Sequence, residues 1–370
     1  MELLLNELQS LLADTAARLC RDAGGPKHAR AVRDGKLEAD ADAWGQAIRA
    51  GWPGMLASEQ HGGSELGMFD AALAVEQAGR QLLMVPLVEA LAAARTISRA
   101  APGKAALAVL ADHIEGRRLI VPATGAAHWR FGDGVPDSGL TFDAQALTLT
   151  GTIPFVPFAS LANWFLVASG RSSDSVIVLI DGDAAGIARS TQFNVDGSAV
   201  CNLSFDHVVA GDEYILAHGD LAMRLAGDLH DALTLLTSAE LLGLAAEAHA
   251  ITMEYLKMRQ QFGRPIGSFQ ALQHRAVNGF IDIELNRSMV YRVLAEFDRG
   301  QHHAAMVPAL KARASRVASE VVRTALQLHG AVGYTDSSDI GLFYKRAIVL
   351  AARYGGEFNH TTQFSRLATA

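Results

Sequence analysis

The chain has 370 residues, half of them hydrophobic, a formal net charge of -7 and two cysteines. That length buries a large core and has room for two or three domains, yet no apolar run approaches the roughly 20 residues of a membrane span and no basic stripe offers itself to a phosphate backbone. Membrane and nucleic acid are excluded as partners, and Cys20 and Cys201, far apart and without metal-ligand spacing, read as reduced thiols of a cytoplasmic protein with no metal site.

The first stretch, MELLLNELQSLLADTAARL, places Glu2 and Glu7 where an export signal needs positive charge, so no export is expected. Helical spacing rich in Ala and Leu continues to about residue 101, with loops at Asp22–Lys27 and Ser58–Leu66, and defines an N-terminal helical domain over residues 1–105. Within it Trp44, Gly51, Trp52, Glu59, Gly62 and Gly63 form W-x6-G-W-P-G-x4-E-x-x-G-G, and Gly79-Arg80 with Pro86 form G-R-x-L-x-x-x-P.

The period then changes. LTLT at 147–150, FLVA at 165–168 and VIVLI at 176–180 are rich in β-branched and aromatic residues and bounded by Gly, Asp, Pro and Ser, which predicts a β domain, a small barrel or sandwich, over 106–218. Helical spacing returns from Leu221, where Leu235, Ala239, Leu242, Ala246 and Met253 share one side of a long helix. Further runs at Ala271–Asp298 and Met306–Leu328 predict a C-terminal four-helix bundle over 219–370. The fold class is therefore α+β and multi-domain: helices, then strands, then helices.

One stretch in that last part concentrates chemistry. Tyr255 to Arg275, YLKMRQQFGRPIGSFQALQHR, reads as a helix, a tight corner at Gly263, Pro265 and Gly267, and a second helix. Arg259 can fork onto a phosphate, Phe262 can lie against a base, and the glycines let backbone approach closely. From the residues alone this is either the corner of a nucleotide site or a helical hairpin with a solvated Arg and a core Phe.

The pattern R-x-x-F-G-x-P-I-x-x-F-Q-x-x-x-H, carried by Arg259, Phe262, Gly263, Pro265, Ile266, Phe269, Gln270 and His274, resembles the FAD-binding stretch of the acyl-CoA dehydrogenase family. QLHGAVGY at Gln327–Tyr334 resembles the family's second FAD segment, and the two N-terminal motifs fit as well, so the resemblance spans the chain. It implies FAD as cofactor, with Arg259 on the pyrophosphate, Phe262 against the adenosine, and Gln270, Gln327, Gly330 and Gly333 along the phosphate path. It also implies an acyl-CoA substrate, formation of a 2,3 double bond, and an electron-transfer flavoprotein as acceptor. Family members commonly lend the Arg and Phe to a neighbour's FAD, so the resemblance implies a homo-oligomer or a heteromer with a second chain of the same kind.

The chain also departs from the family. G-x-x-x-F-V-P-F-A-x-x-A-N-W at Gly151–Trp164 resembles the segment over the flavin face, with Phe155 at the aromatic position but Pro157, which has no donor, at the hydroxyl position. The loop at Val121–Gly134, whose part from Ala126 to Asp133 bears on pocket shape, matches weakly. Most importantly, Gly355 in Tyr354-Gly355-Gly356-Glu357 stands where the family's catalytic Glu belongs, and Leu233 occupies the alternative location. Glu357, two residues on, and Glu240, two turns along the long helix, are the candidate bases, with His360 a third; the backbone of Gly355 is left to donate to a thioester oxygen. Three readings follow: a dehydrogenase with a shifted base, a non-catalytic chain that completes a partner's FAD site, or a related flavoprotein with other redox chemistry.

Overall fold

The computed structural model describes residues 5–35, 39–124, 139–170, 174–301 and 303–369. The loop singled out at 121–134 lies outside the described residues from position 125 onward. Two compact units emerge, one of residues 1–40, 72–84 and 235–370, the other of 41–71 and 85–234. In chain order the helices α1 (Glu7–Ala23), α2 (Pro26–Arg33), α3 (Ala41–Arg49), α4 (Met68–Arg80), α5 (Leu87–Arg99) and α6 (Lys104–Ile114) precede the strands, and helix α7 (Gly219–Met258) follows them. Among the described residues no helix is long and apolar enough to cross a membrane.

In the second unit, strands β1 (Ile120–Pro122), β2 (Leu140–Asp143), β3 (Thr148–Pro157), β4 (Trp164–Ser169), β5 (Val176–Asp181), β6 (Ile187–Phe193), β7 (Ala199–Val209) and β8 (Ile215–His218) form two open four-stranded sheets, β1-β4-β5-β8 and β2-β3-β7-β6, and not a closed barrel. Strands β4 and β5 are buried along nearly their whole length, which is why they read as continuous apolar runs. The Ser169 hydroxyl donates to the Leu140 carbonyl at 2.9 Å and ties one sheet to the other. Helix α5 is buried from Leu87 to Ile97 and lies against β1. His113 joins these parts: its Nδ1 accepts from the Ile120 N–H at 3.2 Å, so Nε2 carries the proton to the Ala90 carbonyl at 3.1 Å. Complete burial lowers its pKa and keeps it neutral.

The first unit is a helical bundle of α8 (Gln270–Asp298), α9 (Met306–His329), α10 (Ile340–Ala352) and α11 (Glu357–Thr369) with the later turns of α7. Where α4 meets α7 the two helices touch backbone to backbone. A methyl at Gly79 would run into the Glu240 carbonyl, and one at Gly243 into the Glu76 carbonyl. The Gly-Arg pair of the N-terminal motif thus has a packing reason: Gly79 permits the crossing, and Arg80 reaches Glu76 at 3.6 Å and Glu247 at 3.5 Å beside it.

The corner after α7 differs from the expected helix-corner-helix. Strands β9 (Gln260–Gln261) and β10 (Arg264–Pro265) pair antiparallel, Gln261 opposite Arg264, around a two-residue turn of Phe262 and Gly263. Both turn residues have positive φ, 54° and 77°, as a type I′ hairpin requires. These strands are short, polar and fully exposed, so no hydrophobic alternation announced them.

The Gly79–Gly243 crossing generates a stability prediction. Gly243→Ala forces apart two helices that have no space between them, and urea denaturation should show a loss of about 1–3 kcal/mol.

Candidate cofactor and catalytic sites

The two glycine-containing segments converge at the ends of α7 and α9. Tyr255 stacks on His329, ring centroids 4.3 Å apart and 21° between planes, and its hydroxyl donates to the His329 carbonyl at 3.3 Å. His329 Nδ1 donates to the Ala325 carbonyl at 2.8 Å, which fixes the imidazole in its helix. Helix α9 stops there because Gly330 adopts φ 63°, ψ -145°, and a Cβ at that position would meet nothing. A single 3-10 segment, Gly330–Tyr334, follows, and in it Gly333 is packed so closely that a Cβ would press on Leu326 and His329 at 3.1 Å.

Between these ends lies a cavity of about 500 Å³. Arg259, Gln327 and Gly330 line it, as do Arg275, Tyr255 and His329, and no carboxylate does. Two guanidiniums, the amides of Gln261 and Gln327, and open backbone at a helix end form a donor set that fits a diphosphate. Phe262, Gln270 and Gly333 are not in the lining. Phe262 is 90 % exposed at the hairpin tip, touching Phe269 edge-on at 6.1 Å, while the Arg264 guanidinium lies 4.2 Å over the Phe269 ring. Gln270 opens α8 with its side chain exposed.

The flavin-face candidates belong to the second unit. Phe155 sits at an irregularity of β3 between Ile153 and Val156, with φ 55°, 40 % exposed, and its N–H donates to Asn202 Oδ1 at 3.0 Å. Pro157 is buried opposite Val200.

The four catalytic candidates fall into different surroundings. Glu240 is buried, and its Oε1 accepts from Arg346 Nη2 at 2.6 Å, both side chains almost fully enclosed. That contact occupies the carboxylate with a guanidinium on α10, so it is not a group left open for proton abstraction. Glu357 is exposed at the first turn of α11, where a negative charge is favoured by the helix dipole. Gly355 is buried at φ 103°, and a Cβ there would lie 2.8 Å from His360 Nε2. Its N–H donates to the Ala352 carbonyl at 3.3 Å. His360 is fully buried, and Nε2 donates to the Tyr354 carbonyl at 2.9 Å. The imidazole therefore fills the space into which a side chain at 355 would have to grow.

Underneath is Lys311 of α9, wholly buried. Its Nζ lies within hydrogen-bond distance of the carbonyls of Leu350 (3.2 Å), Ala351 (3.1 Å) and Gly355 (3.1 Å) and of Ser315 Oγ (3.1 Å), so it caps the end of α10 and holds the turn that carries Gly355. Burial, with the Arg353 charge nearby, pushes its pKa down to about 7. Burial and the Lys311 charge push His360 down to about 4, so at neutral pH it is an uncharged plug.

Sequence reasoning missed Lys311, Arg275 and the Tyr255–His329 stack. Arg275 and Tyr255 were at the ends of the stretch already singled out, and the pairing of that stretch with QLHGAVGY was the available signal. Lys311 lies inside a helical run where a lone Lys reads as solvent-facing, and nothing local marks it as buried.

Comparison with known proteins gives one family. The model for the acyl-CoA dehydrogenase C-terminal domain matches residues 233–358, and that for the acyl-CoA dehydrogenase N-terminal domain matches 6–113, together more than half of the chain. The acyl-CoA dehydrogenase IpdE2 of Mycolicibacterium smegmatis is 26% identical over 354 residues, 93% of each chain. The acyl-CoA dehydrogenase FadE27 of Mycobacterium tuberculosis is 26% identical over 350 residues, 92% of this chain and 91% of the relative. Among solved structures, a variant of the steroid acyl-CoA dehydrogenase Tcur3481-Tcur3483 superposes with a TM-score of 0.87 at 26% identity over 98% of each chain. Butyryl-CoA dehydrogenase from Megasphaera elsdenii superposes with a TM-score of 0.86 at 19% identity over the whole of both chains, a likeness of fold.

Two predictions follow from the Gly355 neighbourhood. Gly355→Glu should destabilise the chain by about 1–3 kcal/mol through strain at positive φ and collision with His360, and adding His360→Ala should recover the collision part only, as read by thermal melting. Lys311 supplies a pH dependence. Its native pKa of about 7 lies below the ordinary 10.5, so between those values the unfolded chain holds a proton that the folded chain has released, and stability rises with pH. Urea titrations at pH 6.5 and 9 should show Lys311→Met losing that rise; the Cys20 thiol, raised by burial from 9.0 to about 12, opposes it only above pH 9.

Proposed function

The chain belongs to the acyl-CoA dehydrogenase family, and on that premise we propose that it serves the 2,3-desaturation of an acyl-CoA thioester as the base-deficient, FAD-holding chain of a heteromeric enzyme. The observation that carries this reading is the closure of position 355. A carboxylate there would need a backbone at φ 103° to bear a side chain and His360 to leave the space its Cβ would take. The other buried candidate, Glu240, is committed to Arg346. The chain is built around a missing base, and a second chain of the same kind supplies it.

The carboxylate-free cavity supports FAD as the cofactor. In this reading Arg259, Gln327 and Gly330 hold a diphosphate and Gln270 and Gly333 shape the adjoining backbone, while Phe155 and Pro157 of the second unit are flavin neighbours on the strength of the resemblance alone. Phe262, exposed at the hairpin tip, reaches the adenosine of a neighbouring chain's cofactor. Bound there, FAD would supply the acceptor for the hydride of the substrate's β carbon, with an electron-transfer flavoprotein as the proposed recipient of the electrons. Helix α8 supports association: Val277, Phe280, Ile281 and Leu285 are about half exposed on its surface, an apolar stripe that a monomer would leave in water. The steroid acyl-CoA dehydrogenase at 26% identity, whose name joins two designations, Tcur3481 and Tcur3483, supports the heteromer and a steroid-derived acyl-CoA as the substrate class.

A second reading, a dehydrogenase acting by itself with Glu357 as base, rests on the position of that carboxylate two residues beyond Gly355, exposed and outside any ion pair among the described residues.

The visible spectrum of the chain purified alone, and again after co-expression with a second acyl-CoA dehydrogenase-like chain, separates the two. The heteromer predicts little flavin in the lone chain, flavin in the pair, and bleaching by acyl-CoA under anaerobic conditions that survives Glu357→Gln in this chain. Flavin in the lone chain that an acyl-CoA bleaches, with loss of bleaching but not of flavin in Glu357→Gln, would establish the second reading instead.

A further inference from the structure

We propose that Arg275 is a second phosphate-holding residue of the cofactor cavity, matched with Arg259 so that the two guanidiniums meet the two charges of a diphosphate. This rests on the reading of that cavity as the seat of the ADP half of FAD.

The argument begins with charge. The cavity's lining contains two cations, Arg259 just past the end of α7 and Arg275 in the second turn of α8, and no anion. Neither guanidinium makes an ion pair or a side-chain hydrogen bond among the described residues, whereas Arg287, Arg292, Arg313, Arg316 and Arg346 of the same bundle each face a carboxylate. Both side chains reach water on one concave surface, and an anion bound there is attracted by both.

Arg275 had alternatives. It also borders a smaller groove of about 290 Å³ between α8 and α9, which contains Asp282 and Glu320. Those carboxylates are served elsewhere, Asp282 by Arg313 at 3.9 Å and Glu320 by Arg316 at 3.7 Å. Arg275 is left to the cavity it shares with Arg259. A diphosphate diester carries two negative charges at neutral pH, and a guanidinium offers a planar fork to each phosphate. One arginine satisfies one phosphate; the pair satisfies both. The residue also has a backbone reason for its place: the Phe262-Gly263 hairpin turns the chain back so that α8 starts beside the end of α7, and the Ile266 N–H donates to the Arg259 carbonyl at 2.8 Å to fix that return.

The test is binding, not turnover. FAD affinity, by quenching of flavin fluorescence, and ADP affinity, by displacement of FAD, are measured for the full chain in whichever assembly, lone or paired, takes up flavin. Arg275→Ala should weaken FAD and ADP by the same factor, about tenfold or more, because the lost contact is to phosphates the two ligands share. Arg275→Lys should recover part of it, and the loss should shrink as salt is raised, since it is electrostatic. ADP binding by Arg275→Ala equal to wild type, while Arg259→Ala loses it, would overturn the role of Arg275 and leave the cavity assignment standing. A loss in Arg275→Ala that is unchanged at high salt and not recovered by Lys would also overturn it, as a packing effect. A wild-type chain that takes up neither FAD nor ADP in either assembly would overturn the cavity reading and this inference together.

Discussion

The first unit depends on one constraint, the backbone contact between α4 and α7 at Gly79 and Gly243. Close approach at that crossing brings the buried Glu76 within reach of Arg287 and of Tyr291, whose hydroxyl lies 3.2 Å from Glu76 Oε2, and so fastens α8 to α4. One turn away on α7, Glu240 pairs with Arg346 and fastens α10. Buried ion pairs of this kind add little net stability over apolar packing, but breaking one strands a charge, so they specify which helix lies where. The cavity lined by Tyr255 and Arg259 depends on this arrangement on one side, because it lies at the far end of α7, a helix located by these contacts.

The region of the missing base shows the same logic at closer range. A glycine in place of a catalytic Glu reads as a simple deletion of a side chain. In the folded chain the position is packed: positive φ at Gly355, the His360 ring beside it and Lys311 Nζ beneath its carbonyl form one buried cluster. Three basic groups, Lys311, His360 and Arg353, crowd the buried surroundings of Gly355. The depressed pKa values of the first two are the electrostatic consequence of that crowding and of the lack of water.

What remains exposed is equally informative. Phe262 at the hairpin tip and the stripe along α8 carry apolar surface that helices inside the bundle have buried. The hairpin is held by a type I′ turn and by Arg264 over Phe269, so Phe262 is presented by a rigid element and not by a loose loop. A rigid aromatic held out in water suits a surface that another chain covers.

The sequence by itself determined the order helices, strands, helices and the two glycine-containing segments, because these are properties of neighbours in the chain: the 3.6-residue period of α7 to α9, the β-branched runs at 165–168 and 176–180, and the local pattern R-x-x-F-G with QLHGAVGY. It also located the anomaly at Gly355. Only the tertiary structure decided what each candidate does. Glu240 and Glu357 are both carboxylates near the right place, yet one is enclosed by Arg346 and the other faces water. Lys311 and Arg275 are both cations on helices, yet one is sealed under α10 and the other lines a cavity. Those differences arise from residues 39 to 106 positions distant in sequence, such as Arg346 for Glu240 and Leu350 and Gly355 for Lys311, and burial set by such distant neighbours leaves no periodic trace in the chain.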